Sequence, residues 1–281
     1  MKKLLLSLFL ITISLPAWAG DAKESAFDRV MRTGVIRCGY YVFPPMTSRD
    51  PNTGTLSGFS VDFMNHLAER ASLKIEWVEE VTFGNWVPAL QARRFDIACT
   101  PMWPDLPQAK VAAFTHSMFY AGKYLAVMAN DTRFSNKTKL ADLNNERFTF
   151  VAQEGNMTFT TTKIAVPNAK LFMLAANADP GEYYQAIVSK KADAVILDTN
   201  AVQQWNINNP KNMMKLLDIT HPVTYQQFPL VVGRGENDLL MFLNLAIDEM
   251  NNAGEINSLL LKWEAEPNKT YLRVTNPAKV N

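Results

Sequence analysis

The predicted strands and helices are arranged around residues 95–120, with the sequence FDIACTPMWPDLPQAKVAAFTHSMFY. Its first six residues, 95–100, are mainly apolar and follow two arginines, which predicts a short buried strand after a helix end. Pro101 and Pro104 then exclude a regular strand, because proline has no backbone N–H to donate. In an open α/β sheet, ligands bind just beyond the carboxyl ends of the strands. Trp103, in this loop, is therefore predicted either to cover the core or to form the wall of a pocket.

Strands and helices alternate on both sides of this loop. Strands are predicted at 35–41, 73–78, 124–128, 148–152, 170–174 and 194–197, and helices at 58–71, 85–93, 181–189, 237–251 and from about 156. This alternation is typical of an α/β fold in which helices flank mainly parallel sheets. Because the pattern begins again after residue 124, we predict two lobes and not one sheet of nine strands.

The first 19 residues have the features of an export signal. Two lysines precede an apolar run, 4–15, which Pro16 ends, and residues 17–19 read Ala-Trp-Ala. The run is too short to span a bilayer. We predict cleavage after Ala19 and a soluble exported protein, with an uncleaved anchor as the alternative.

The charge of the chain excludes two classes of partner. The formal net charge is +1, and it becomes −1 without residues 1–19, which hold two lysines and no acidic residue. Such a chain has no basic surface for nucleic acid or for an anionic membrane.

The two cysteines, Cys38 and Cys99, both fall in predicted strands. An oxidising compartment permits a disulfide between them. Two buried thiols that act as small apolar residues are the alternative, and the sequence slightly favours this second interpretation because strand neighbours need not have disulfide geometry.

Several short motifs recur in the order and spacing of a known family. They are GVIRCG at 34–39 with Pro44-Pro45, GFSVDF at 58–63, PAL at 88–90 with FDI at 95–97, Ala109-Lys110 with Phe114-Thr115, QEGN at 153–156, ADAVILD at 192–198, NLA at 244–246 and Lys262-Trp263. With these motifs the mature chain resembles the extracellular solute-binding proteins of ABC importers, of the amino-acid-binding family 3 type.

The resemblance implies a type II periplasmic-binding-protein fold, in which two lobes close on a ligand between them. Lobe 1 would comprise 20–127 with 230–281, and lobe 2 the insert 128–229. Two hinge crossings, at 124–129 and 228–233, would join the lobes.

The resemblance also implies candidate ligand contacts. Gln108 stands where the family usually has an arginine that binds the ligand's α-carboxylate, and an amide cannot replace that charged bidentate donor. Asp198 stands where the family has a carboxylate for the ligand's amino group, although it could equally cap the following helix. Glu154, Asn156, Met157 and Thr158 open a helix whose free N–H groups suit an anion, although Thr158 could simply cap that helix. The expected ligand therefore carries an amino or other cationic group and need not carry a free α-carboxylate.

Large apolar side chains complete the predicted ligand site. Phe43, Phe83, Met102 and Trp103 lie at strand ends or in loops of lobe 1. Taken singly, an aromatic residue there is more often a core residue than a ligand contact. Phe43, Phe83 and Trp103 stand where the resembled family walls its ligand, so at least one of them is expected to stack on a ring or cover a cation. The three histidines are scattered without acidic or cysteine neighbours at ligand spacing, so we predict no metal site and no cofactor.

These observations predict a monomeric periplasmic binding protein that delivers a small polar solute to an inner-membrane ABC permease. One alternative is an enzyme, because the resemblance extends to periplasmic dehydratases of cyclohexadienyl acids, and Glu154 or Asp198 could supply the general acid that an elimination needs. A ligand-sensing partner of a receptor is the other alternative.

Overall fold

A computed structural model describes residues 24–104, 106–135, 138–264 and 270–274. The predicted export signal at 1–19 lies outside the described residues. Within them, no helix is both long and apolar enough to cross a membrane.

The described residues form short strands and helices in alternation. The strands are β1 Val35–Tyr40, β2 Ser48–Arg49, β3 Leu56–Ser57, β4 Lys74–Glu80, β5 Ile97–Ala98, β6 Ala112–Phe114, β7 Phe119–Met128, β8 Thr149–Gln153, β9 Lys170–Leu174, β10 Val195–Asp198, β11 Met214–Leu217, β12 Thr224–Gln227, β13 Val231–Gly233 and β14 Leu272–Arg273. The helices are α1 Ala26–Thr33, α2 Phe59–Ala71, α3 Trp86–Gln91, α4 Met157–Ala165, α5 Gly181–Val188, α6 Thr199–Asn208, α7 Asn237–Asn252 and α8 Glu255–Trp263. Two 3₁₀ turns, Gln108–Lys110 and Leu140–Leu143, complete the regular structure.

The first sheet contains strands from both ends of the chain. Its order is β4-β1-β5-β13-β6, and β1 pairs in parallel with β4 and β5. Strand β13 comes from the last quarter of the chain. It lies between β5 and β6 and is antiparallel to both. One core beneath this sheet joins buried residues of α2 with those of α7 and α8, such as Phe63, Leu243 and Leu260. The last quarter of the chain therefore completes the fold of the first quarter.

The second sheet is built around the ten-residue strand β7. Strands β10, β11, β12 and β14 all pair with β7 in antiparallel fashion. Strands β8 and β9 pair in parallel, and a parallel bridge from Phe150 to Ala194 places β8 beside the start of β10. Both sheets are thus mixed, because β7 and β13 run against their neighbours.

Strand β7 connects the two cores. Phe119 and Ala121 belong to the core of the first sheet, whereas Leu125 and Val127 belong to a core of the second sheet. The chain returns along β12, which pairs with residues 120–123 of β7. The change of core falls between Ala121 and Leu125, a few residues before the lobe boundary predicted after residue 127. The boundaries themselves stay a prediction.

The cysteines are not two thiols. Cys38 in β1 and Cys99, the residue after β5, form a disulfide with their Cα atoms 5.4 Å apart, so the alternative that the sequence slightly favoured is wrong. The parallel pairing of β1 with β5 places Cys38 opposite Ile97, and Cys99 N–H donates to the Gly39 carbonyl at 2.9 Å. This pairing brings the two sulfur atoms within bonding reach. The bridge fixes the chain directly before the loop that carries Trp103.

Candidate functional site

Three of the predicted aromatic residues form one wall. Phe43 follows β1, Phe83 follows β4 and Trp103 follows β5, so the parallel strands bring all three to the same edge of the sheet. The rings of Phe83 and Trp103 stack with centroids 4.8 Å apart, and the Phe43 ring stands edge-on to Trp103 at 5.8 Å. Tyr41, which the sequence did not suggest, contacts all three rings.

The loop behind this wall is held from several sides. The Thr100 and Thr47 hydroxyls, both fully buried, are 2.7 Å apart, and the Tyr41 hydroxyl donates to the Pro101 carbonyl at 2.9 Å. Met102 packs in the core with Trp86 and Phe95 and does not line the cavity next to Trp103. Successive residues of an extended segment face opposite sides, so only Trp103 of this pair faces the other lobe.

The start of α4 forms part of the opposite wall. Asn156 caps this helix, since its Oδ1 accepts the Thr158 N–H at 2.9 Å. Asn156, Met157 and Thr158 all line the cavity, and their contact with a ligand stays a prediction. Glu154 is exposed and does not line it, because the turn at Gly155, with φ of 71°, separates Glu154 from the helix start.

Gln108 lies at the edge of the cleft. It begins the 3₁₀ turn Gln108–Lys110, and its Nε2 donates to the Gly155 carbonyl at 3.3 Å. This contact joins the loop after β5 to the turn before α4. Gln108 therefore contacts the opposite lobe and does not line the inner cavity.

Asp198 is engaged on both carboxylate oxygens. Its Oδ1 accepts the Ala201 N–H at 2.8 Å and caps α6, while its Oδ2 accepts a hydrogen bond from Lys123 Nζ at 2.7 Å. Only 5% of the Asp198 side chain and 7% of the Lys123 side chain are exposed, so this is a buried ion pair. The helix-cap interpretation of Asp198 is confirmed, and Asp198 also lines the inner cavity. Its contact with a ligand's amino group stays a prediction.

Sequence reasoning missed Lys123. It lies directly opposite Asp198 of β10 and Thr224 of β12 in the antiparallel ladders, which places the three side chains on one face. Its Nζ is also 5.9 Å from the centre of the Trp103 ring. The available signal was a lysine within an otherwise apolar strand, since a buried charge requires a partner.

The two tyrosines of α5, Tyr183 and Tyr184, also line the cavity. The hydroxyl of Tyr183 donates to Gln153 Oε1, and that of Tyr184 donates to the Ala201 carbonyl at 2.8 Å. Burial raises the pKa of both phenols, and the charge of Asp198 raises the pKa of Tyr184 further. Burial and Asp198 likewise raise the pKa of Tyr41 from the other lobe. These phenols are therefore neutral at physiological pH.

Two side chains in the cleft have hydrogen-bonding atoms with no partner among the described residues. They are the Trp103 Nε1 and both polar atoms of the Gln226 side chain, which is 2% exposed. Buried polar atoms are normally hydrogen-bonded, and an exception indicates a water or a ligand.

Trp103 lies between two cavities. The inner cavity is about 50 Å³ and is walled by both lobes, with Lys123 and Asp198 among its lining residues. The outer cavity is about 360 Å³ and is lined by Trp103, Phe114, Met157 and Gln226. A water molecule occupies about 30 Å³ of liquid. The inner cavity in this conformation therefore holds only one or two waters, while the outer cavity is in the size range of a small-molecule site.

A larger cavity, about 680 Å³, lies away from this cleft beside α1 and β13. Arg29 and Arg37 both pair there with Asp96, and Arg93 pairs with Glu236. These ion pairs join α1 and β1 to the residue before β5, and the turn after α3 to the loop after β13. Within the described ranges, no cluster of three or more His, Cys, Asp or Glu residues is placed to hold a metal ion.

Residues 36–266 match the sequence model of a protein family, the bacterial extracellular solute-binding proteins, family 3. The chain belongs to this family. The resemblance predicted from the motifs is confirmed, and so is the α/β type II fold class.

Named relatives and solved structures agree with this membership. A probable amino-acid ABC transporter-binding protein of Haemophilus influenzae is 24% identical over 94% of this chain and 97% of its own length. The cyclohexadienyl dehydratase of Pseudomonas aeruginosa is 27% identical over 63% of this chain and 64% of its own length. The crystal structure of an ancestral amino acid-binding protein, described as a precursor of cyclohexadienyl dehydratase, superimposes with a TM-score of 0.70 at 25% identity. It covers 85% of this chain and 99% of its own.

Proposed function

We propose that this protein captures a small polar solute of the amino-acid kind between its two lobes and delivers it to an ABC importer. The observation that carries the proposal is the composition of the cleft. Phe43, Phe83 and Trp103 come from the first sheet, whereas Asn156 and Asp198 come from the second. Because each lobe supplies only part of the wall, ligand binding and lobe closure are coupled.

Binding without chemistry is favoured over the dehydratase alternative. An elimination requires a general acid within reach of the leaving group. Glu154 is exposed outside the cavity, and both oxygens of Asp198 accept hydrogen bonds from Lys123 and Ala201. The phenols of Tyr41, Tyr183 and Tyr184 donate to protein acceptors, and their raised pKa values make them poorer acids.

Further parts of the proposal are supported by the family's extracellular solute-binding role and by the export-signal features of residues 1–19. The protein acts as a monomer in the periplasm, after removal of residues 1–19, and its partner is an inner-membrane ABC permease. Mass spectrometry of the exported protein is expected to show Gly20 as the first residue, and retention of residues 1–19 would contradict export by cleavage.

The proposal is tested by a thermal-shift panel of amino acids, amines and small carboxylates, because a ligand that binds only the folded state raises the unfolding temperature. Small-angle scattering with the best ligand should show a smaller radius of gyration than scattering without it. Incubation with a cyclohexadienyl acid should leave its ultraviolet spectrum unchanged. Steady appearance of the absorbance of an aromatic product at catalytic protein concentrations would instead support the enzyme, because elimination from a hydroxycyclohexadienyl acid yields an aromatic ring.

A further inference from the structure

The buried ion pair changes what Asp198 can recognise. The carboxylate charge is already matched by Lys123 Nζ at 2.7 Å, and the second oxygen is occupied by the Ala201 N–H. An ammonium group brought to Asp198 would stand beside Lys123 in a site of low dielectric, where like charges repel strongly. To bind there, it would have to displace a lysine that the sheet holds in place.

The position of Lys123 is set by its strand. Its neighbours across the ladders are Asp198 on one side and Thr224 on the other. Its Nζ lies 5.9 Å from the centre of the Trp103 ring, which stands in the loop after β5 of the first sheet. Lysine has three N–H donors, and one hydrogen bond from Nζ is formed within the described part of the chain. The ammonium therefore retains donors for an acceptor that enters between the lobes.

Other groups in the cleft also favour an acceptor. The Trp103 indole N–H is buried and has no partner among the described residues. The start of the nine-residue helix α4 lies in the same wall, and the positive end of the helix dipole attracts anions. Lys123 and Asp198 are the only formally charged residues that line the inner cavity within the described ranges.

We propose that Lys123 takes the place of the ligand's amino group on Asp198. This inference rests on the proposed function and replaces amino acids, among the small polar solutes, by acids of the same carbon skeleton. It therefore differs from the ligand with an amino or other cationic group that the sequence predicts. The ligand is a small carboxylate without an α-ammonium group, such as a 2-oxo, 2-hydroxy or unsubstituted acid with the carbon skeleton of an amino acid. Its carboxylate binds near Lys123, Trp103 Nε1 and the start of α4, and its apolar part packs on the aromatic wall.

The test uses acids that differ only at the α-carbon. L-phenylalanine, 3-phenyllactate, phenylpyruvate and 3-phenylpropanoate form one set, and the corresponding four acids with the leucine skeleton form a second set. Calorimetry on the wild-type protein should give at least tenfold tighter binding for the best acid without an ammonium group than for the amino acid of the same set. Equal or tighter binding of the amino acid would overturn the inference.

Variants locate the effect at Lys123. In Lys123→Met, Asp198 loses its cation. The affinity for the amino acid should therefore rise at least tenfold relative to the affinity for the matched acids without an ammonium group. Lys123→Arg retains the charge and should bind the acids in the same order of affinity as the wild type. An unchanged order in Lys123→Met would overturn the assignment, and the comparison within the wild type does not depend on whether that variant folds.

The outcomes separate this inference from the proposed function. A solute that closes the lobes in scattering but requires its α-ammonium would leave the binding-protein function intact and would overturn the role of Lys123. If none of the eight acids binds while an amine from the broad panel does, the ligand class proposed here is likewise wrong. If no member of the broad panel binds, the small-solute function itself is contradicted.

Discussion

Replacement of Asp198 by Asn should destabilise the fold severely because it leaves Lys123 buried without a counter-charge. The two side chains are 7% and 5% exposed and their polar atoms are 2.7 Å apart. Loss of one partner from a buried pair costs about 3–5 kcal/mol, whereas an exposed pair is worth at most about 1 kcal/mol. Asparagine has nearly the same shape and can still accept the Ala201 N–H, so the cap of α6 is retained.

The assay is urea denaturation of wild type and variant, followed by far-ultraviolet circular dichroism at pH 7. The exposed pair Arg49–Glu80, 2.9 Å apart, supplies a matched control. Glu80→Gln removes a carboxylate charge of the same kind and should change stability far less. The double variant Lys123→Met with Asp198→Asn should recover much of the loss, because it removes both buried charges.

This reasoning would be refuted if Asp198→Asn lowered the free energy of unfolding no more than Glu80→Gln does. A double variant as unstable as the sum of the two single variants would also contradict it. In the first case Lys123 would find water or another acceptor without Asp198. In the second, the two residues would act independently.

Three further predictions follow from the site and its supports. Replacement of both Cys38 and Cys99 by alanine should lower the free energy of unfolding by about 4 kcal/mol, since the bridge closes a loop of 61 residues; urea curves with and without reductant check this. Trp103→Ala should weaken binding of the best panel ligand at least tenfold by calorimetry, whereas Glu154→Ala, at an exposed position, should leave it unchanged. Burial raises the pKa of Tyr184, so the unfolded chain loses this phenolic proton near pH 10.0 while the folded chain keeps it. The neutral phenol therefore contributes stability below pH 10.0, and this contribution is lost as the pH rises above that value. Tyr184→Phe should lose less stability between pH 9 and 11 in the same urea assay.

The aromatic wall could be predicted because it follows from local order along the chain. Phe43, Phe83 and Trp103 each come directly after a strand of one parallel sheet, and parallel strands end at a common edge. The start of α4 is also set locally, because Asn156 has a side chain that commonly caps helices. Positions that depend on one strand or one turn are therefore accessible to sequence reasoning.

The ion pair could not be predicted in the same way. Lys123 and Asp198 are 75 residues apart, and their contact depends on the antiparallel pairing of β7 with β10. The prediction of a mainly parallel sheet gave no reason to place these strands side by side in that register. The disulfide was left open for a similar reason, because the distance between Cys38 and Cys99 depends on the register of β1 and β5.

The two departures at Gln108 and Lys123 are understandable together. With an arginine in lobe 1 and a carboxylate in lobe 2, a zwitterionic ligand would draw the lobes together by ion pairs at both ends. In this chain the neutral Gln108 stands where the arginine would be. The cation of the cleft is Lys123 on β7, next to the Asp198 carboxylate of β10. Both charges of the cavity lie on one side of the cleft, and the aromatic wall faces them from the other. If the ligand lacks an α-ammonium group, as we propose, no ion pair spans the cleft through it. Closure is then expected to depend on burial of the ligand's apolar part against Trp103 and on hydrogen bonds from Lys123.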